Sequence, residues 1–559
     1  MSSYDYDVAV IGSGFGGSVA ALRLTEKGYR VGVLEAGRRY TDSTLPKSSW
    51  NLRKFFWFPR LGLRGIQRLT LLRDVLILSG AGVGGGSLVW ANVCYEPLDH
   101  AFDDPQWSHI TDWKKELAPF YDLARRMLGA ERVPFETNAD RVMRAVGRDL
   151  GVEHTFHLND VAVHFGNPGQ EVPDPYFGGE GPSRAGCRHC GGCMVGCQYN
   201  AKNRLDKNYL FLAEQRGAVI HPNQQVVDLE PLDGGGYRIT ARKPGARVFR
   251  RRRTYTAEQV VFAAGALGTT RLLMQLQEAG RLPDLSDRLG YQVRTNSEAL
   301  VGASALNAST DYSHGVAITS SIHPDKDTTI EPVRYPKGSN SMGLLSTILV
   351  DGGGRVPRWL RFLATAVRHP ITFARSFSVR RWSERTVIFL VMQSIDNSLR
   401  VFRKRGLFGT RLTSAHDTGK PNPTYLPVAN AAARAGAEHM NGYPGSSINE
   451  VVLNVPVTAH ILGGACVGDS PVSGVVDPYH RMFGYPDLHV ADGAAVAANL
   501  GTNPSLTITA LAERAMALWP NRGEEDTRPA PGESYRTIDS IRPATPAVPE
   551  GAHAELRFS

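Results

Sequence analysis

Cysteine is scarce in this chain, with six residues in 559, too few to staple a secreted disulfide-built module. No leader is expected either. Met1-Ser-Ser-Tyr-Asp-Tyr-Asp carries no basic residue, and the first apolar run, Val8 to Ile11, is far shorter than the core of a signal peptide. A cytoplasmic location is the expectation. Long apolar runs are also absent: Val75 to Tyr95 is free of charge, but Gly80, Gly82, Gly84, Gly85 and Gly86 break it in a way that suits a loop, so no transmembrane span is read. Apolar residues make up 42% and charged residues 21%, which excludes a disordered or collagen-like chain. The formal net charge of +9 permits contact with an anionic surface without demanding it. The basic run Arg250 to Arg253 lies between two strand-like segments and reads as a solvated hairpin tip, so no nucleic-acid partner is expected.

Glycine, by contrast, is plentiful and organised. Asp7-Val-Ala-Val-Ile-Gly12-Ser-Gly14-Phe-Gly-Gly17 reads as a buried strand entering a glycine turn and then a helix from about 18 to 27. A second apolar strand runs from Tyr29 to Leu34, and Glu35 stands where a dinucleotide fold places the acid that accepts from a ribose hydroxyl. Such glycines let the backbone approach a pyrophosphate seated on the helix N-terminus. With 58 glycines the bare G-x-G-x-x-G pattern is a weak signal, and the flanking strands with Glu35 make it a strong one.

Three further segments extend the pattern: Ser79 to Trp90 with its five glycines, Val260-Val-Phe-Ala-Ala-Gly265, and the run from His460 to Arg514. Together with the first motif they resemble, in order, the glucose-methanol-choline (GMC) oxidoreductases, in particular the sterol oxidases among them. The resemblance implies an α/β fold. A Rossmann-like FAD-binding domain (5–98, 182–297 and 455–520) would be interleaved with an α+β substrate domain (99–181 and 298–454) containing a larger β-sheet. It implies non-covalent FAD held by Gly12, Gly14, Gly17, Glu35, Gly84, Gly85, Ser87, Asn92, Val226, Gly265, Asp492, Gly493, Asn503 and Pro504. Residues 521–559, rich in proline among polar residues, read as a disordered tail without a core of its own.

Four of the six cysteines are concentrated in Cys187-x2-Cys190-x2-Cys193-x3-Cys197, within the loop 186–198. That is the spacing with which thiolates wrap an iron–sulfur cube. Gln198 replaces the proline of the ferredoxin run, and Cys94 or Cys466 is available to complete a ligand set. Four-cysteine zinc and an unmetallated or disulfide-forming loop are the alternatives. As a resemblance the cluster departs from the secreted sterol oxidases.

His460, in His-Ile-Leu-Gly-Gly, matches the family histidine that takes or shares the hydroxyl proton during hydride transfer to flavin. Asn503 would supply an amide to the substrate oxygen or the flavin edge, and Pro504 would open a helix pointed at the flavin. Glu331, in Thr328-Thr-Ile-Glu331-Pro-Val, resembles by position the base that shifts a sterol double bond. Two segments combine aromatics with arginine, Trp50 to Arg73 and Arg355 to Arg385. Each fits either peripheral contact with anionic lipid or a domain-packing surface. The expectation is a flavoprotein that oxidises a hydrophobic secondary alcohol, foremost a 3β-hydroxysteroid, to the ketone, with Δ5 to Δ4 isomerisation and with dioxygen or a carrier as electron acceptor. A dehydrogenase of long-chain or other bulky alcohols working through the cluster is one alternative. A flavin/iron–sulfur electron-transfer or redox-sensing protein is the other.

Overall fold

A computed structural model describes residues 4–246, 251–406 and 409–557. Two β-sheets organise it. In the first, Val31–Glu35, Tyr6–Ile11, Arg252–Phe262 and Tyr485–Val490 run parallel, in the registers Val10↔Val33, Val10↔Val261 and Val261↔His489. Val219–Pro222 extends one edge in parallel, and Tyr237–Arg242 and Gln225–Pro231 extend the other as an antiparallel meander. Tyr6–Ile11 and Val31–Glu35 are buried at nearly every position, which explains why these strands read as unbroken apolar runs. Phe15–Glu26 and Ser505–Ala517 are buried along almost their whole length.

The second sheet has seven strands in the order Ser346–Ile348, Gly442–Ser447, Ala299–Ala305, Thr386–Gln393, Thr328–Val333, Ser320–Asp325 and His157–Leu158, paired antiparallel. Its two faces follow the two-residue period of a strand. Val301, Ala303, Val387, Phe389 and Val391 pack under the helices Asn138–Asp149 and Pro427–His439. Leu300, Gly302, Ser304, Ile388 and Leu390 face a large cavity between this sheet and the first.

The segment after Arg522 departs from the expected disordered tail. It forms no helix or strand among the described residues, yet Ala547, Val548, Ala554 and Leu556 are buried in the core of the first sheet's layer. Ala547 N–H donates to the buried Glu26 carboxylate at 2.6 Å, and Ile541 N–H to Ala517 O at 2.8 Å. Proline and polar residues abolish regular structure, while small apolar side chains and free backbone donors find partners on a surface already built. Arg250 lies outside the described residues; Arg252 and Arg253 form the exposed start of Arg252–Phe262, whose other end is buried.

Among the described residues no helix is long and apolar enough to cross a membrane. Of the first aromatic-basic segment, Phe55 and Trp57 are buried. The second forms the helices Arg358–Arg368 and Pro370–Ser376, which expose Trp359, Leu363, Val367, Ile371 and Phe377.

Candidate active site

Where the first parallel strand ends, Gly12 takes a left-handed backbone (φ 107°), and a Cβ there would strike the Ala263 carbonyl. Gly17 meets the Gly12 carbonyl in the same way. These two glycines are required by packing. Gly14, the N-cap of Phe15–Glu26, differs: a Cβ there meets nothing within 4 Å and points into open space at a helix N-terminus. That space suits an anion. Gly84 (φ 98°) and Gly85 (φ 51°) close the second glycine turn, and a Cβ on Gly85 would lie 2.6 Å from Gly14 Cα, so the two turns pack backbone to backbone. Ser87 is an internal brace, donating to Gly84 O at 2.7 Å and accepting from Leu205 N–H at 3.1 Å.

Glu35 sits at the end of its strand, accepting from Ser13 Oγ (2.7 Å), Ser13 N–H (3.1 Å) and Gly37 N–H (2.6 Å). Val226 lines the same space. Gly265, left-handed at the start of Ala266–Glu278, donates its N–H to Asp492 at 2.8 Å; Thr269 Oγ1 and Ala494 N–H also donate to that carboxylate. Burial pushes Asp492 up to about 6 against these bonds. Gly493, Asn503 and Pro504 complete the wall. Asn92 adds two buried amide atoms with no protein partner, on the cavity side of a left-handed residue (φ 74°). Unpaired buried amide atoms are costly unless a ligand meets them, so the cradle fits a dinucleotide. The cavity measures about 1790 Å³, above the ~300–1,000 Å³ of a single-ligand site. Its far end is apolar, with Met194, Ile318, Val333, Met342, Leu345 and Ile388.

Between the two ends stand His460 and Asn503. His460 Nδ1 forms a short hydrogen bond with Glu298, whose other oxygen accepts from Ala459 N–H at 2.7 Å. Burial opposes protonation of His460, but the Glu298 charge and bond outweigh it and Glu331 adds to them, so its pKa is raised. With Nδ1 engaged, Nε2 is left free for chemistry. Asn503 lines the cavity and donates from Nδ2 to Glu331 at 3.1 Å, while its Oδ1 is buried without a partner. Glu331 itself is fully buried behind that amide and does not line the cavity. Asn159 Nδ2 and Ser321 Oγ, each at 3.3 Å, complete its contacts. Burial raises its pKa to about 7, against the hydrogen bonds and the nearby His460. Glu298, Asn159 and Ser321 were not singled out from sequence. Ser321 comes in on a strand of the second sheet, Asn159 follows its edge strand His157–Leu158 and Glu298 precedes Ala299–Ala305, and nothing in the neighbourhood of any of them announces it.

The sequence relatives decide the family. The chain is 55% identical to "Cholesterol oxidase" of Mycobacterium tuberculosis, over 99% of its own length and 98% of that protein's. It belongs to the GMC oxidoreductases. Two GMC oxidoreductase models match residues 182–278 and 393–512, and an NAD(P)-binding Rossmann-like model matches 10–41. "Cholesterol oxidase" of Acinetobacter baumannii is 44% identical over 93% of this chain and 95% of that one. A solved structure of pyridoxine 4-oxidase from Mesorbium loti shares the fold at a TM-score of 0.56 and 14% identity, covering 91% of this chain and 98% of the other. The protein is an FAD-dependent oxidoreductase acting on CH–OH groups, of the cholesterol oxidase-like branch.

In this GMC oxidoreductase the cysteine loop does not form the ligand set that its spacing predicted. Cys187, Cys190, Cys193 and Cys197 are free thiols lining one small cavity. Yet among the described residues no three His, Cys, Asp or Glu side chains are grouped to hold a metal ion. The iron–sulfur and zinc assignments therefore find no ligand set, and Cys94 and Cys466 do not join the cavity. The loop's left-handed residues His189, Gly191, Gly196 and Cys197 shape a tight turn. Lys202 braces it, donating to Cys193 O at 2.7 Å and Trp90 O at 3.0 Å. Burial pushes the Cys190 thiol up to about 11, the state of an inert thiol.

Proposed function

We propose that this GMC oxidoreductase oxidises the 3β-hydroxyl of a sterol to the ketone, with dioxygen as the final acceptor, and then moves the ring double bond into conjugation. The observation that carries the reading is the meeting of two separate proton-handling groups, the His460–Glu298 pair and the Asn503–Glu331 pair, between a dinucleotide cradle and an apolar end. The names of the relatives at 55% and 44% identity support the substrate class.

Bound FAD supplies the two-electron acceptor. His460, oriented through Nδ1 by Glu298, takes the hydroxyl proton at Nε2 as the carbinol hydrogen leaves as hydride. Asn503 orients the substrate oxygen. One Nδ2 hydrogen is held by Glu331, and the second is available to that oxygen. A simple alcohol oxidation needs one proton acceptor, whereas a Δ5-sterol needs a second base to lift a proton from one ring carbon and return it to another. Glu331, poised near neutrality by burial, has the basicity for that second task. The exposed apolar side chains of Arg358–Arg368 and Pro370–Ser376, with Arg355, Arg368 and Arg375 among them, support peripheral contact with anionic lipid.

Anaerobic mixing with cholesterol tests the reading: flavin absorbance should bleach, and the conjugated enone should appear on completion. Bleaching by long-chain alcohols and not by sterols would overturn it in favour of a bulky-alcohol enzyme.

A further inference from the structure

The strand register lays out the cavity floor on the second sheet level by level. At the catalytic level Glu331 pairs with Leu390 and Leu390 with Leu300, two residues beyond the Glu298 that holds His460. Two residues on, and so on the same face, come Val333, Ile388, Gly302 and Gly445, an apolar stretch whose two glycines carry no side chain. Two residues further come Thr386, Ser304 and Tyr443, side by side on three strands and all on the cavity wall. From Leu300 to Ser304 is four residues, so at ~3.3 Å per residue the floor turns polar about 13 Å beyond the catalytic level.

Ser304 Oγ and Thr386 Oγ1 lie 2.8 Å apart, and both residues are more than nine-tenths buried. Two hydroxyls bring two hydrogens, and their mutual bond uses one. Among the described residues the other has no acceptor, so it is left to whatever fills the cavity. Tyr443 beside them is fixed: its hydroxyl donates to Arg375 O at 3.1 Å and accepts from Arg385 Nη1 at 2.9 Å. Arg385 is itself buried, and its remaining partners are the carbonyls of Ala305, Ser378 and Arg380. All four partners are neutral, so a positive charge stands behind this corner with no carboxylate bonded to it. A spare donor in front of a buried cation favours a ligand oxygen over hydrocarbon.

We infer that Ser304, Thr386 and Tyr443 form a recognition shelf for a second oxygen of the substrate, a keto or hydroxyl group at the ring-D end of a 3β-hydroxysteroid. The inference rests on the proposed oxidation of a steroid 3-hydroxyl and narrows its substrate class. With the 3-oxygen at His460 and Asn503, the four fused rings lie along the bare stretch of Gly302 and Gly445, and their rigid length carries ring D to the polar level. A sterol with hydrocarbon alone at that position leaves the spare hydroxyl hydrogen unbonded, and a buried donor without a partner is disfavoured. The shelf makes and breaks no covalent bond. Its three residues touch no reacting atom and select which steroid binds.

Matched substrates test this on the FAD-loaded enzyme: a 3β-hydroxy-Δ5-steroid with a keto group on ring D, and the same steroid with two hydrogens in its place. The unmutated enzyme should favour the first by about tenfold in kcat/KM, as expected for one hydrogen bond to an otherwise unpaired buried group. The same keto group moved to ring C, over the glycine stretch, should bring no such gain. Ser304→Ala combined with Thr386→Val removes both hydroxyls at once and orphans neither, and the preference should fall toward one. Flavin content shows that the variant is folded, and taking a ratio cancels any general loss of activity. A ratio near one in the unmutated enzyme, an equal gain from the ring-C ketone, or a ratio unmoved in the double variant overturns the shelf and leaves the oxidation reading intact. Flavin bleached by long-chain alcohols and by none of these steroids removes the reading on which the shelf rests.

Discussion

Two carboxylates are buried in one layer, Glu298 immediately before the strand Ala299–Ala305 and Glu331 on Thr328–Val333, with Thr386–Gln393 between the two strands and side-chain exposures of 0% or close to it. Their company differs. Glu298 has an imidazole on one oxygen and a backbone N–H on the other. Glu331 has two amide donors and a hydroxyl, all neutral. A buried carboxylate with a group that can become cationic is an anchor, because its charge is repaid at close range. One with neutral donors alone retains part of its desolvation cost, and its pKa rises to about 7. The same residue type in the same layer is thus a fixed counter-charge in one place and a proton carrier in the other.

The largest expected effect comes from removing the group that Glu298 serves. His460→Ala should lower turnover by about 10²- to 10⁴-fold while FAD remains bound, as measured by steady-state rates and by flavin released on acid precipitation. Glu298→Gln should cost less, and it should shift a pH profile in a definite direction. Glu298 raises the pKa of His460, and His460 acts as a base only when neutral. Without the Glu298 charge the imidazole stays neutral to lower pH, so the acid limb of kcat/KM should move toward acid even as the maximum falls. An acid limb that stays in place would remove Glu298 from the role of anchor.

The cradle was legible from sequence because its determinants are local. Gly12, Gly14, Gly17 and Glu35 fall within one strand-turn-helix-strand unit, and the positive φ of Gly12 and the open space at Gly14 follow from that unit. His460 and Asn503 carried their own motif contexts. Glu298, Ser321 and Asn159 come from three separate segments at or beside strands of the second sheet, and their meeting is a long-range property that no local pattern encodes. The cysteine loop is a case of the other kind: its spacing satisfies a local rule for a metal centre, while among the described residues no such ligand set is grouped and a lysine braces the turn. The tail erred because composition reports the absence of regular structure and is silent about docking.

A smaller effect separates the chemistry of Glu331 from its contribution to stability. Double-bond migration should increase with pH through about 7 as Glu331 ionises, and Glu331→Gln should abolish it while sparing flavin bleaching. A migration rate that is flat across this range would count against Glu331 as the base.

The smallest expected effect is on the fold itself, and its sign is opposite to that of an ion-paired acid. Glu331 has a higher pKa folded, about 7, than its ordinary value of 4.5, so the folded state holds the proton more tightly than the unfolded chain does. Its favourable contribution is fully present below pH 4.5, is lost as pH rises toward 7, and changes no further above that. At 1.36 kcal/mol per pKa unit the loss is about 3 kcal/mol, an upper figure because local rearrangement and water entry relieve part of it. Glu331→Gln keeps the shape and removes the titration. The variant's melting temperature should therefore gain on that of the unmutated protein between pH 4.5 and 7 and then hold a constant lead, a difference of a few degrees in a chain of this size. A lead that grows instead as the pH falls would mean that Glu331 is held as a paired carboxylate like Glu298, and the contrast between the two would collapse.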